Sequence, residues 1–271
     1  MLSPRISVLT LVRDREAHLH NLLVGLSSST VRPHECVIIR MNEAEQPLPA
    51  TPFPTSQHSL TSADALPLAQ ARNLAAHKAT GTFWVFLDVD CIPAATCLEA
   101  YASAHCQAPT AVLMGAVSYL RAVLPAQWWL ADLPERSAPH PLRDAAQQVF
   151  LQLEVNYNLF WTLSFGLTPS TFEQVGGFCE AYRGYGAEDT DFARLLERSK
   201  IELRWVPTAM AYHQYHASQV PPRQHLQSIV RNAWVYYRRW GQWPMEKWLL
   251  AFAQEGLIDW QPEAEILRTL P

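Results

Sequence analysis

The sequence predicts an α/β chain with a mostly parallel central sheet flanked by helices. Three observations predict it. Short apolar, β-rich runs at Ile6 to Val12, Cys36 to Met41, Phe83 to Leu87 and Ala111 to Leu120 read as strands buried on both faces. Segments of helical period alternate with them, and that rhythm builds a parallel sheet covered on both sides. The chain has 271 residues, 49% of them apolar, enough for one large α/β domain with a substantial core.

Each element follows in order. After the first strand, Ala17, Leu19, Leu22, Leu23 and Leu26 share one face of a helix from Arg15 to Ser28. The stretch from Asn42 to Pro67 is rich in Pro, Ser and Thr and has room only for a short strand near His58 to Leu60. Leu68 to Ala79 reads as a helix closed by Gly81. A further helix runs from Ala94 to Cys106. Residues 121–141 are irregular and serve as a lid or a connector. Arg143 to Leu153 reads as helical, Tyr157 to Phe165 as extended, and Pro169 to Val175 as a helix with Pro in its first turn. A glycine-flanked acidic run leads into a helix ending near Lys200, and Ile201 to Val206 is a short strand. From Pro221-Pro222 a long helix follows, then another from Pro244 to Glu255. Residues 1–217 thus form the main domain, and 218–271 a helical extension packed on it.

Composition narrows the function classes. The formal charge of −4 gives no sign of a nucleic-acid partner. Five cysteines without C-x-x-C spacing indicate neither a disulfide framework nor a zinc site. Arg5 interrupts the start before an apolar segment too short for a signal peptide, so a cytoplasmic setting is expected. The run Trp234 to Trp240, aromatic and basic, fits helix packing or peripheral contact with the inner face of a membrane. Oligomeric state is open.

Asp88 and Asp90 close the third apolar run, Phe83 to Leu87. Residues two apart on a strand point the same way, so both carboxylates emerge where the strand leaves the sheet. A divalent cation with oxygen ligands relieves their repulsion, although Asp also ends strands and caps helices. Glu188 and Asp189 fall in the first turn of a helix after Gly184 and Gly186. The macrodipole there favours carboxylates, either as caps or as a general base toward a hydroxyl. His213 and His216 have the spacing to bring one or both rings to a cation. Arg13 and Arg15 follow the first strand, and Arg72 lies on the helix before the aspartates. All three suit a phosphate-bearing ligand, while glycine-rich phosphate loops are absent. Trp128, Trp129, Trp161 and Tyr185 suit a sugar ring or the core.

Taken in order, Ile6–Arg15, Gln70-Ala71-Arg72-Asn73, Asp88-Val89-Asp90, Gly176-Gly177-Phe178, Gly184 to Phe192 and His213 with His216 resemble a family 2-type glycosyltransferase of the GT-A fold. The second half is most similar to the galactosyltransferases and polypeptide N-acetylgalactosaminyltransferases. The resemblance covers residues 5 to 217 and implies a divalent-metal-dependent, inverting transfer from a nucleotide sugar, UDP-linked, to an acceptor hydroxyl. It implies Asp90, His216 and His213 as ligands of Mn²⁺ or Mg²⁺, and Thr10, Arg13, Arg15, Arg72 and Asp88 as donor contacts. Asp189 would be the catalytic base and Glu188 an acceptor-orienting acid, with Trp128, Trp161 and Tyr185 toward a saccharide, lipid-linked or small-molecule acceptor. One departure stands out. Many family 2 enzymes carry an Asp after the second strand, where this chain has Arg40-Met41-Asn42-Glu43. The competing readings are a nucleotidyltransferase of related fold, or a non-catalytic nucleotide- or sugar-binding module.

Overall fold

The computed structural model describes residues 3–63, 65–143, 149–217 and 219–270. In chain order the elements begin with β1 (Ile6–Val12), α1 (Glu16–Ser27), β2 (Glu35–Met41), β3 (Thr55–Leu60), α2 (Leu68–Lys78), β4 (Phe83–Leu87), β5 (Cys91–Pro93), α3 (Cys97–Gln107) and β6 (Val112–Leu120). Then come β7 (Ser137–Pro139), β8 (Leu153–Glu154), β9 (Ser164–Leu167), α4 (Pro169–Val175), α5 (Glu188–Arg198) and β10 (Leu203–His213). The chain finishes with α6 (Leu226–Trp240), α7 (Glu246–Gln254), β11 (Ile258–Gln261) and β12 (Ile266–Thr269).

The main sheet has the order β3-β2-β1-β4-β9-β6-β10-β5, with β7 added to β6 and β8 to β10. From β3 to β4 every pairing is parallel. Beyond that β9 lies antiparallel to β4 and β6, and β10 returns parallel to β6. The α/β class holds and the sheet is mostly parallel, as expected: along this path only β9 and β5 run against the other strands. Strand β9 follows the irregular residues 155–163 and enters antiparallel to both its neighbours.

Alternation along β4 divides the core. Phe83, Val85 and Leu87 pack with Leu19, Leu22 and Leu26 of α1 and Leu98 and Tyr101 of α3. Trp84 and Phe86 face the other way, into Ala71 and Ala75 of α2, Phe172 of α4 and Phe192 and Leu196 of α5. Each face of the strand is thus covered by helices, which is why the run shows no polar alternation.

Several local expectations are corrected. Of the helix expected from Arg143 to Leu153, residues 144–148 lie outside the described residues, and the remainder forms turns and the start of β8. The extended segment expected from Tyr157 to Phe165 is a single 3₁₀ turn at Tyr157–Leu159, with β9 beginning only at Ser164. The strand expected to stop at Val206 continues as β10 to His213, across a register shift between Val206 and Ala211. Pro207 looks like a terminator in sequence, but the irregular register absorbs it. Residues 121–141 are tied down by β7 pairing with β6 and by buried Leu133.

The extension has a small core of its own, from Ile229, Ala233, Leu249, Phe252, Ile258 and Leu267. It is not purely helical, because β11 and β12 close it as an antiparallel hairpin. Four-residue strands carry too little periodicity to be read from sequence. The Trp234 to Trp240 run is used internally: the Trp234 indole donates to Leu267 O at 2.9 Å and the Trp240 indole to Asp191 at 2.7 Å. Among the described residues no helix is long and apolar enough to cross a membrane. All five cysteines are free.

Candidate active site

The carboxyl ends of β1, β4, β6 and β10 share one edge of the sheet with the amino end of β9. Ligands of such sheets bind beyond that edge. Asp88 and Asp90 follow β4 in a tight turn, with Cys91 N–H donating to Asp88 O at 2.8 Å. The turn separates the two carboxylates, which a continued strand would have aimed together. Asp88 faces Arg72, 3.7 Å away, and Asp90 faces Arg15, His213 and His216.

Asp90 and the two histidines form the first cluster. His213 Nε2 is 3.4 Å from Asp90 Oδ1, and His216 Nε2 is 3.5 Å from Oδ2. One ligand atom from each lies within 4.8 Å of the other two. Asp90 Oδ1 is buried and has no hydrogen-bond partner among the described residues, an expensive arrangement unless something electropositive takes it up. A carboxylate with two imidazoles suits a first-row divalent metal, so the residues present fit such an ion. Burial opposes ionisation of Asp90, but His216, His213 and Arg15 outweigh it and hold the carboxyl down to about 2. His213 is shifted down by burial, which keeps its ring neutral and ligand-competent.

Gln214, between the two histidines, fixes this cluster and was not singled out in the sequence. Its N–H donates to Asp90 O at 2.7 Å, and its amide donates to His18 O at 3.0 Å and accepts from Asn21 at 2.7 Å. A polar residue following a buried strand was the available signal.

Arg72 organises the second cluster. It is 4% exposed and donates to Glu188 Oε1 at 3.2 Å and to Thr162 Oγ1 at 2.7 Å. The adjoining Leu163 O accepts from Asp88 N at 3.0 Å, so the segment before β9 touches both groups. Glu188 is buried, and its Oε2 has no hydrogen-bond partner among the described residues. Asp189 Oδ1 accepts from Thr190 N at 2.7 Å, in the first turn of α5. Burial, reinforced by Glu188 and opposed by Arg72, pushes Asp189 up to about 6. For Asp88 burial outweighs Arg72 and, with Asp90 adding to it, pushes the carboxyl up to about 7.

The loop that presents these acids is held from behind. Gly184 and Gly186 have φ of 74° and 101°, and a side chain at Gly184 would meet Ser228 Cβ at 2.6 Å. Asn232 of α6 donates to Gly186 O at 2.9 Å. Asp191, the third acid of the run, belongs to this support. It is fully buried and accepts from Tyr182, Arg239 and Trp240.

The other expected residues are distributed unevenly. Arg13 turns to neighbouring Asp14 at 3.4 Å and is 41% exposed, so it is not drawn into either cluster. Thr10 is buried within β1 with its hydroxyl unpartnered. Trp128 packs with Leu120 and Tyr212 and donates to Asn21, behind the histidine cluster. Tyr185 is partly exposed and stacks on His225. Trp161 immediately precedes Thr162 and stacks on Arg143. At the end of β2, fully buried Arg40 is enclosed by Glu16, Glu43 and Gln57, where the usual Asp is missing.

Comparisons with known proteins follow this geometry. Residues 146–217 match the family described as the N-terminal domain of galactosyltransferase. A search of curated proteins finds no match. Among solved structures, GalNAc-T7 with UDP, GalNAc and Mn²⁺ superposes with a TM-score of 0.56 at 13% identity, over 88% of this chain and 51% of that one. S. aureus TarS 1-349 in complex with UDP-GlcNAc gives 0.59 at 13% identity, over 86% and 66%. The same protein with UDP gives 0.56 at 15% identity, over 86% and 65%. The chain has the GT-A glycosyltransferase fold. It spans about half of GalNAc-T7 (51%) and about two thirds of TarS 1-349 (66%). In GT-A terms the region matched to the galactosyltransferase family runs through β9, α5 and β10, and so carries Glu188, Asp189, His213 and His216.

Proposed function

We propose that this chain is an inverting, divalent-metal-dependent glycosyltransferase that moves a sugar from a UDP-linked donor to an acceptor hydroxyl. One observation carries the reading. The Asp90, His213 and His216 cluster and the Arg72, Asp88 and Glu188 cluster lie at the same sheet edge as Asp189. The GalNAc-T7 and TarS complexes with UDP or UDP-sugar support the donor class.

Asp90, His213 and His216 would hold Mn²⁺ or Mg²⁺, with Mn²⁺ favoured by the two imidazoles; the ion would supply electrophilic stabilisation of the leaving diphosphate. Arg15 and Arg72 add positive charge on the donor side, where charge develops as the glycosidic bond breaks. Asp88 orients the donor. Asp189 takes the proton from the acceptor hydroxyl as its oxygen attacks the anomeric carbon, and Glu188, held by Arg72, orients that hydroxyl. A single displacement with one base inverts the anomeric centre. Trp161 and Tyr185 line the acceptor side, the acceptor being a saccharide, a lipid-linked sugar or a small molecule. Residues 1–217 carry the chemistry, and 218–271 brace the loop that presents the acids.

The test is thermal shift of the full chain with UDP, with and without Mn²⁺, followed by turnover with a panel of UDP-sugars. Stabilisation by UDP that needs Mn²⁺ is expected, at a few kcal/mol when ligand exceeds Kd about a hundredfold. UDP without effect in either condition contradicts the reading.

A further inference from the structure

Arg143 is 1% exposed, yet among the described residues no carboxylate hydrogen-bonds or ion-pairs with it; Asp189 acts on it only electrostatically. Its Nε and one terminal nitrogen donate to Leu159 O at 3.2 and 2.6 Å. Its guanidinium carbon lies 4.2 Å from the centre of the Trp161 ring and 5.0 Å from that of Trp205. A buried cation is costly, and two indole faces with one carbonyl compensate only part of that cost. Such an arrangement persists where something is held in place by it.

What it holds is Trp161. The indole has Arg143 on its face and His140 against it edge-on, at 4.9 Å and 88°. Tyr119 lies 5.7 Å from His140 and stacks on the ligand-competent His213 at 4.7 Å. The two residues after Trp161 touch the donor machinery, Thr162 through Arg72 and Leu163 through Asp88. Trp161 is only partly buried. Arg143, lying over one face of the indole, sets its orientation.

We propose that Arg143 is a positioning residue for the acceptor: clamped between Trp161 and Trp205, it fixes the Trp161 indole as the wall against which the apolar face of an acceptor sugar ring stacks. The inference rests on the transferase reading and assigns the acceptor a pyranose presented face-on. Arg143 itself contacts no substrate. Its planar group matches an indole in a way an ammonium does not.

The test uses the full chain, the UDP-sugar that gives turnover, and p-nitrophenyl glycosides of glucose, galactose and N-acetylglucosamine as acceptor probes. Arg143→Met is expected to raise the acceptor KM about tenfold, with a smaller change in kcat and in Mn²⁺-dependent UDP affinity. Arg143→Lys recovers part of the loss. On a Trp161→Ala background, Arg143→Met adds nothing further. If Arg143→Met does not fold, Arg143→Lys with Trp161→Ala carries the same comparison. An unchanged acceptor KM in Arg143→Met, or full additivity with Trp161→Ala, overturns the proposal. Failure of the wild-type chain to bind UDP with Mn²⁺ overturns the transferase reading and this inference with it, a result distinct from an unaltered KM in an active enzyme.

Discussion

Arg72 reaches Glu188 across the site, Nη1 to Oε1 at 3.2 Å, joining α2 to the first turn of α5. The same guanidinium lies 3.7 Å from Asp88. One buried cation thereby lies between Asp88 and Glu188, the carboxylates proposed to serve donor and acceptor. Replacing Arg72 with Met leaves Glu188 and Asp88 uncompensated; the chain should lose about 3–5 kcal/mol of stability, and kcat/KM should fall as the two carboxylates lose their spacing. Steady-state kinetics with the turnover donor checks this. Arg72→Lys should recover little, because a single ammonium cannot span Glu188, Thr162 and Asp88 together.

The metal cluster makes a separable prediction. His216→Ala removes one of three candidate ligands and should weaken Mn²⁺ binding about 10–100-fold while the fold's thermal midpoint without metal stays close to wild type. Titration calorimetry of Mn²⁺ in the presence of UDP reads it directly. Equal Mn²⁺ affinity in the variant would remove His216 from the ligand set.

Asp189 predicts an acid limb. Its carboxyl is pushed up to about 6, so it is ionised above that pH and protonated below it. A general base acts only when ionised, and transfer should therefore fall as pH drops through 6, by about tenfold per unit at the low end. The kcat/KM profile between pH 5 and 8 checks the sign. A rate that rises on acidification contradicts the assignment of Asp189 as base.

Asp191 lies two residues beyond and should behave differently. Asp191→Ala leaves Arg239, Trp240 and Tyr182 without their shared acceptor, and should destabilise the chain by about 3 kcal/mol. The effect should appear in denaturant unfolding. Hydrogen exchange should show it concentrated in α6 and the loop around Gly186, which α6 braces through Asn232.

How much of this was legible in the sequence depends on the physics of each part. The strands β1, β2, β4 and β6 could be read because burial on both faces leaves continuous apolar runs. The full extent of β10 could not, because Pro207 breaks the local pattern and only pairing with β6 restores the strand. The site's acids and histidines were visible as unusual charges beside apolar runs. Their partition was not: that Asp88 and Asp90 face different partners follows from a turn after Leu87, which spacing alone does not reveal. Gln214 and Arg143 escaped notice because their importance comes from tertiary neighbours, Asp90 in one case and two tryptophans in the other.

The central claim is that Asp189 is the base of a metal-dependent sugar transfer, and Asp189→Asn tests it most directly. Asparagine keeps the size and the acceptor oxygen for Thr190 N–H but cannot take a proton. The account predicts a fall in kcat of about 10²–10⁴-fold with UDP affinity in Mn²⁺ nearly unchanged. Transfer at close to the wild-type rate in Asp189→Asn would contradict it.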